Sequence, residues 1–178
     1  MKHSAADSIV CAGFAAVLWA GGTDVPAGMA IAAEAPLAPT AAPAAPRIPI
    51  YPDAAQASAD IAAGLRSAAQ QKKRMLVAFG ANWCGDCEVL DENLHRPENL
   101  ALLRDNYVLV LVNVGEERID HNLELAQRYG IPLAKGVPAL AVLDHHGLVV
   151  YSQKNGEFEP MRSLDPESVH EFLLRWRK

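Results

Sequence analysis

Apolar residues at helical spacing mark five predicted helices in the later two-thirds of the chain. The first begins after Asp53, a residue suited to cap a helix, and continues to about Gln71. Pro97 suits the first turn of a separate short helix, and Gly130 is expected to end another. The apolar positions of the other four helices are, in chain order, Leu90 and Leu94; Leu100 and Leu103; Ile119, Leu123 and Ala126; and Val169, Phe172, Leu173 and Trp176.

Short apolar runs between these helices are typical of buried strands. Four such runs are predicted strands: Met75–Phe79, Tyr107–Val114, Ala139–Leu143 and Leu148–Ser152. Ile48–Tyr51 is a candidate for a further, short edge strand. Alternation with helices predicts parallel strands, and the turn at residues 144–147 adds an antiparallel hairpin. The predicted fold class is α/β, with a central mixed sheet of four to five strands flanked by helices on both faces.

The first 35 residues do not follow this pattern. Lys2 and His3 precede the apolar run Ile9–Ala20, which is too short for a membrane span and suits the core of a secretory signal. Small residues at candidate cleavage sites follow. We therefore expect residues 1–35 to be a signal peptide that is cleaved on export. An uncleaved membrane anchor and a disordered tail are the alternatives.

Residues 36–52 are rich in proline and alanine, with prolines spaced regularly from Pro36 to Pro52. Such spacing forbids a helix and favours an extended chain. We interpret this segment as a linker that precedes a folded domain at residues 53–178. A tail without a role is the alternative interpretation.

The charge distribution excludes one class of partner. The net charge is −5 at pH 7, and the longest basic run is Lys72-Lys73-Arg74. A protein with this balance is not expected to bind nucleic acid. The sequence also shows no exposed apolar seam for assembly, so a monomer is expected.

Two cysteines lie where a predicted strand gives way to a helix, in the stretch Trp83-Cys84-Gly85-Asp86-Cys87. This spacing puts both sulfurs in the first turn, where one can be exposed and the other covered. A disulfide can then form and break with little movement of the backbone. The helix N-terminus favours a thiolate at Cys84. The stretch therefore indicates thiol–disulfide exchange.

Metal binding is the main alternative for the cysteine pair. A closed zinc site needs four ligands, and the chain has no second CxxC or CxxH motif, so no metal site is predicted. Two thiolates also suit Cu(I), and a copper carrier or metallochaperone stays open as the alternative function. His145 and His146 lie at the predicted hairpin turn and are interpreted as a solvated turn. An interaction protein with incidental cysteines is a third hypothesis.

The motifs together resemble the thioredoxin-like superfamily. They are Trp-Cys-Gly-x-Cys after a buried strand, Val137-Pro138 about fifty residues later before a hairpin, and a closing amphipathic helix. The resemblance covers residues 53–178 and implies a thioredoxin fold. The break at Pro97 and the Glu-Asn-Leu that follows it resemble the exported branch that includes the periplasmic C-terminal domain of the transmembrane electron carrier. The resemblance thus implies a location in the bacterial periplasm.

The resemblance also implies roles for the site residues. Cys84 would be the nucleophile and Cys87 the resolving thiol of an enzyme that reduces or exchanges disulfides in envelope proteins. It would need no cofactor beyond its redox-active disulfide, and it would draw electrons from an upstream donor such as a membrane thiol–disulfide carrier. A cis Val137–Pro138 bond would let a substrate pair as a short strand. The residues that flank the site would be Trp83, Gly85, Asp86, Val137 and Pro138.

Three departures from the family pattern affect the expected chemistry. Ala78 stands at the position of the buried acid that helps to move the proton of the resolving cysteine, and Asp86 replaces the usual proline. The segment Ile131–Gly136 is longer than usual. Because Asp86 and its acidic neighbours Glu88 and Asp91 oppose a nearby thiolate, we expect a less acidic Cys84. A reducing couple, as opposed to a strongly oxidising one, follows from that expectation.

Overall fold

The computed structural model of the protein describes residues 48–178. The predicted signal peptide and residues 36–47 of the predicted linker lie outside the described residues. Helices and strands follow one another much as the apolar spacing predicts. In chain order they are α1 (Ala57–Gln71), β1 (Arg74–Gly80), α2 (Gly85–Leu94), α3 (Pro97–Asn106), β2 (Tyr107–Asn113), α4 (Leu123–Arg128), β3 (Ala139–Leu143), β4 (Val149–Ser152) and α5 (Glu167–Arg175).

The four strands form one mixed sheet in the order β2-β1-β3-β4. β1 and β2 are parallel, in a register that aligns Arg74 with Tyr107 and Gly80 with Asn113. β3 runs antiparallel to β1, and β4 pairs antiparallel with β3. This arrangement confirms the predicted α/β class and mixed sheet. β1 is central, so the segment that follows its last residue is held between neighbours on both sides.

Helices cover both faces of the sheet because alternate residues of each strand point to opposite sides. On one face, Val77 and Phe79 of β1 pack with Ile61 of α1 and with Cys87. On the other, Leu76 and Ala78 pack with residues of α2 and α5, which are Leu90, Leu94, Val169, Phe172 and Leu173. Trp176 caps α5 and is partly buried at the margin of this second cluster.

The structure departs from the sequence prediction at Ile48–Tyr51, where no strand forms. The backbone N–H of Tyr51 donates to Asn82 Oδ1 (2.8 Å), and the Asn82 amide donates to the Tyr51 carbonyl (3.0 Å). Both backbone groups are therefore taken by one side chain and not by a neighbouring strand. The Tyr51 side chain enters the core and is only 2% exposed. The prediction of a short edge strand at Ile48–Tyr51 is therefore wrong.

The helix expected from Ile119 begins only at Leu123. The N–H groups of Asp120 and His121 both donate to the carbonyl of Val114, which holds the preceding residues in a turn. Asn122 then adopts a left-handed conformation with φ of 57°. These local hydrogen bonds compete with a further helical turn.

None of the helices within residues 48–178 combines the length and the apolar composition that crossing a bilayer requires.

Candidate active site

The site begins at Cys84, the N-cap of α2, just beyond the end of β1. Its Sγ accepts a hydrogen bond from the backbone N–H of Cys87 (3.2 Å), so the sulfur itself caps the helix. Its thiol also donates to the carbonyl of Val137 (3.5 Å). Cys84 is 7% exposed and Cys87 is fully buried, and both are free thiols. The sulfurs therefore occupy an outer and an inner position, as the spacing predicts.

The two thiols titrate as an unequal pair. A hydrogen bond from the Cys87 thiol lowers the pKa of Cys84 to about 7, and the backbone N–H groups of Cys87 and Asp86 act in the same direction. Burial and the charge of Asp86 oppose the shift but do not cancel it. The pKa of Cys87 is raised, first because its proton is held by Cys84 and then because it is buried. The outer sulfur, that of Cys84, is thus the one that ionises more readily to a thiolate.

Asp86 does not face Cys84 as an isolated charge. Its carboxylate accepts hydrogen bonds from the Arg162 backbone N–H (2.9 Å), Nε (3.1 Å) and Nη2 (2.8 Å). This pairing lowers the pKa of Asp86, and it raises that of Arg162, to which the nearby Cys84 charge also contributes. The charge of Asp86 raises the pKa of Cys84, as expected from the sequence, but the hydrogen bond from the Cys87 thiol and those from the backbone N–H groups of Cys87 and Asp86 outweigh it. The partner of Asp86 is Arg162, which the sequence did not connect with the motif.

A shallow groove of about 320 Å³ lies over the outer sulfur. Trp83 forms part of its wall; the ring is 43% exposed and its Nε1–H donates to the Gly115 carbonyl (2.9 Å). The sequence-predicted residues that line the groove are Trp83, Cys84, Gly85, Asp86 and Val137. Those that sequence reasoning missed are Ile119, Gly136, Glu159 and Arg162.

The Val137–Pro138 segment lies against Cys84, and its peptide bond is cis, as the resemblance implies. Gly136 precedes it with φ of 102°, a conformation that favours glycine. The buried side chain of Gln153 holds the segment from behind. Its amide donates to the Pro138 carbonyl (3.2 Å) and its Oε1 accepts from the N–H of Leu140 (3.2 Å). No sequence pattern indicated this role for Gln153.

A second missed residue, Tyr51, lies beside the inner sulfur. The interaction between its hydroxyl and Cys87 lowers the pKa of Cys87 and raises that of Tyr51. Gly80 makes the space, because a Cβ there would overlap with the Tyr51 hydroxyl and stand 2.9 Å from Cys87 Sγ. Ala78, which the resemblance matches with a buried acid, contributes only a methyl group to the cluster on the other face.

The histidines singled out in the sequence lie outside this site. His145 and His146 are exposed at the β3–β4 turn, where the Asp144 carboxylate accepts from the backbone N–H of His146 (2.9 Å). This confirms their interpretation as a solvated turn. Over residues 48–178, no group of three or more histidine, cysteine or acidic side chains is placed to hold a metal ion.

Comparison with known families and structures gives two kinds of match. The sequence model of a family described as thioredoxin-like matches residues 55–145. Among solved structures, the chain is 35% identical to a disulphide isomerase from Xylella fastidiosa Temecula1, with a TM-score of 0.66. That alignment covers 71% of this chain and 95% of the other. A search of curated proteins finds no match.

More distant structural matches have lower scores. A thioredoxin from Thermus thermophilus is 22% identical, with a TM-score of 0.47 and coverage of 64% of this chain and 81% of the other. The oxidised C-terminal domain of DsbD from Neisseria meningitidis is 18% identical, with a TM-score of 0.49 and coverage of 67% and 95% respectively.

Proposed function

The chain belongs to the thioredoxin-like family, and from this we propose that it is a thiol–disulfide oxidoreductase that reduces disulfides of envelope proteins through Cys84 and Cys87. The observation that supports this most directly is the unequal thiol pair. The outer sulfur has a pKa lowered to about 7, so a large part of it is thiolate near neutral pH, whereas the inner sulfur keeps its proton. The thiolate is the nucleophile in disulfide exchange.

The proposed reaction has two exchanges. The Cys84 thiolate attacks one sulfur of a substrate disulfide, and the other sulfur leaves and takes up a proton. Cys84 is then joined to the substrate as a mixed disulfide. Cys87 loses its proton and attacks Cys84 Sγ, which forms the Cys84–Cys87 disulfide and releases the second substrate sulfur as a thiol. Two electrons pass from the protein to the substrate, and a separate donor must return them.

The groove supports a protein substrate. It is open along Trp83 and the Asp86–Arg162 ion pair, and the Val137 carbonyl lies 3.5 Å from Cys84 Sγ. An extended substrate segment that places its disulfide at Cys84 would run beside Val137 and Pro138. Main-chain pairing of this kind binds many sequences with little dependence on side chains. The envelope location rests on the expected export signal in residues 1–35.

The direction of electron flow follows from the same thiol. A strongly oxidising pair needs a nucleophile whose pKa lies far below neutrality, because the reduced form is then strongly stabilised. A pKa of about 7 favours a reducing pair. The Xylella fastidiosa relative is described as a disulphide isomerase, which makes isomerisation the second candidate. An isomerase needs only Cys84 to start an exchange, whereas net reduction also needs Cys87.

The test is a trapping experiment in the exporting cell. A Cys87→Ser variant cannot resolve its mixed disulfide, so it should accumulate disulfide-linked adducts that disappear on treatment with a reductant. The partners are identified by mass spectrometry of the envelope fraction. A Cys84→Ser variant is the matched control, since it lacks the attacking sulfur and should form no adduct.

The same variants separate the two directions. For a reductase, Cys87→Ser should abolish multiple-turnover reduction of insulin disulfides; for an isomerase, it should retain the ability to rearrange a scrambled disulfide protein. Adducts through Cys87 in place of Cys84 would overturn the attack order. Stoichiometric Cu(I) uptake by a protein that neither traps partners nor reduces insulin would favour the copper-carrier alternative.

A further inference from the structure

Tyr51 comes before the first helix, yet both its side chain and its backbone are held in place. Its ring is buried, and both of its backbone hydrogen-bonding groups are held by the side chain of Asn82. Asn82 lies in the loop between β1 and Cys84, two positions before the nucleophile. The position of the Tyr51 hydroxyl is therefore coupled directly to the loop that carries the cysteines.

The hydroxyl and the inner sulfur share one small space. The place where a Cβ on Gly80 would stand overlaps with the Tyr51 hydroxyl and is 2.9 Å from Cys87 Sγ. Any side chain larger than hydrogen at residue 80 would thus push into both groups. Glycine at the end of a central strand otherwise weakens it, so a close approach is the physical reason for its presence.

Cys87 has few groups that favour its ionised form. The Ala81 backbone and the Tyr51 hydroxyl lower its pKa, while Cys84, on the same helix, and burial raise it. Burial, the two cysteines and the charge of Asp91 of α2 raise the pKa of Tyr51. The phenol therefore keeps its proton and is available as a hydrogen-bond donor.

We propose that Tyr51 is a catalytic residue of the resolving step, in which its hydroxyl donates a hydrogen bond to Cys87 Sγ while that sulfur gives up its proton and attacks the mixed disulfide. The proposal rests on the proposed function, since it concerns the second exchange. In that exchange the Cys87 S–H bond and the Cys84–substrate S–S bond break, and the Cys84–Cys87 S–S bond forms. The electron pair leaves with the substrate sulfur, which gains one proton for the one that Cys87 loses. Tyr51 keeps its own proton throughout.

The need for this hydrogen bond comes from burial. Cys87 is 0% exposed, so water does not solvate the charge that appears on its sulfur. Charge in a site of low dielectric is stabilised mainly by donors that are already in position. Once Cys84 is bound to substrate it carries no charge and accepts no proton from Cys87. The Tyr51 hydroxyl, which lowers the pKa of Cys87, stays beside the sulfur.

The two exchanges can be timed separately with dithiobis(nitrobenzoate), an aromatic disulfide that releases one coloured thiolate at each step. In the reduced protein, the first release reports the attack by Cys84, and the second reports resolution by Cys87. A Cys87→Ser variant should show the first release only. This result would assign the first release to Cys84 and the second to Cys87. Absence of the first release in the unmodified protein would refute the proposed function, whereas a failure confined to the role of Tyr51 would leave both releases intact in that protein.

Tyr51→Phe removes only the hydroxyl and retains the buried ring. We expect the second release to slow by about 10- to 100-fold, the range for losing a hydrogen bond to a charged group, and its pH midpoint to rise. The first release should keep its rate within about twofold and its midpoint near pH 7. Tyr107→Phe is the matched control, because Tyr107 is also buried and its hydroxyl donates to the Leu173 carbonyl (2.7 Å) away from the cysteines.

A second measurement does not depend on turnover. In a Cys84→Ser background, the pH dependence of Cys87 alkylation should shift to higher pH when Tyr51→Phe is added, and should not shift with Tyr107→Phe. An unchanged second release with an unchanged Cys87 midpoint would overturn the proposal. Equal slowing of both releases would also overturn it, because a general disturbance of packing would then explain the effect.

Discussion

Arg162 has a role in the site that its place in the sequence does not suggest. It lies 76 residues from Asp86 and binds that carboxylate through its backbone N–H and two guanidinium nitrogens. The acidic residue inside the motif is thereby converted into one half of an ion pair at the edge of the groove. The positive half interacts favourably with a charge on Cys84 and so opposes the repulsion between Asp86 and the thiolate.

Replacing Arg162 should therefore make Cys84 less acidic. In Arg162→Ala, the unpaired Asp86 charge opposes the thiolate, and the pH midpoint of Cys84 alkylation should rise from about 7. Because exposed ion pairs are worth about 0–1 kcal/mol and one pKa unit corresponds to about 1.4 kcal/mol, the rise should be less than about one unit. The measurement is the rate of iodoacetamide labelling against pH.

Arg104→Ala is a suitable control for this substitution. Arg104 forms an exposed ion pair with Asp105 at 2.8 Å, at the end of α3 and outside the groove. Its removal should leave the Cys84 midpoint unchanged. A downward shift in Arg162→Ala, or equal shifts in both variants, would contradict the electrostatic explanation.

At the level of secondary-structure elements, the β3–β4 hairpin holds the segment opposite the cysteines. Gln153 directly follows β4, and its buried side chain bridges the Pro138 carbonyl and the N–H of Leu140. Its own backbone N–H donates to the Leu140 carbonyl (3.0 Å). One residue thus joins the end of β4 to the start of β3 and to the groove.

Gln153→Met keeps the approximate volume but removes both side-chain hydrogen bonds. Each buried backbone group left without a partner costs about 1–3 kcal/mol, so the free energy of unfolding should fall by at least that amount. Urea denaturation of the reduced protein measures it. Gln71→Met, at an exposed position on α1, should change the free energy by no more than about 0.5 kcal/mol. A similar small change in Gln153→Met would show that the bridge contributes nothing to stability.

For the folded unit as a whole, the packed core starts before the first helix. Tyr51 belongs to the cluster that contains Phe79 and both cysteines, although it lies in the segment interpreted from the sequence as linker. The proline-rich composition of residues 36–52 gives no indication of the buried aromatic ring near the end of this segment. The last residues before Asp53 are therefore part of the domain's packing.

Tyr51→Ala should consequently destabilise the entire domain. Truncating a buried aromatic side chain to alanine costs about 3–5 kcal/mol, and denaturant unfolding followed by tryptophan fluorescence should show a loss of that size. Ile48→Ala, three residues earlier and 90% exposed, should change the free energy by no more than about 0.5 kcal/mol. Similar effects of the two substitutions would place Tyr51 outside the core.

The features that sequence reasoning predicted correctly are those with short-range causes. Continuous apolar runs identified β1 and β3 because a strand buried on both faces has no polar alternation. Pro97 separated α2 from α3 because proline fits the first turn of a helix. The expectation failed at Ile119, where backbone hydrogen bonds to Val114 delay the start of α4.

The sequence alone places Cys84 and Cys87 in the first turn of a helix, because residues three apart span nearly one turn and the apolar run before them forms a strand. The groups that surround the two sulfurs depend instead on the tertiary structure. Arg162 binds Asp86 from a short 3₁₀ helix that is distant in sequence, and the Tyr51 hydroxyl lies near Cys87 in the space left by Gly80. Such contacts depend on how the helices and strands pack against one another, and no periodic pattern in the sequence predicts them. The pair of thiols could therefore be predicted from the sequence. The charges and hydrogen bonds that determine their chemistry could not.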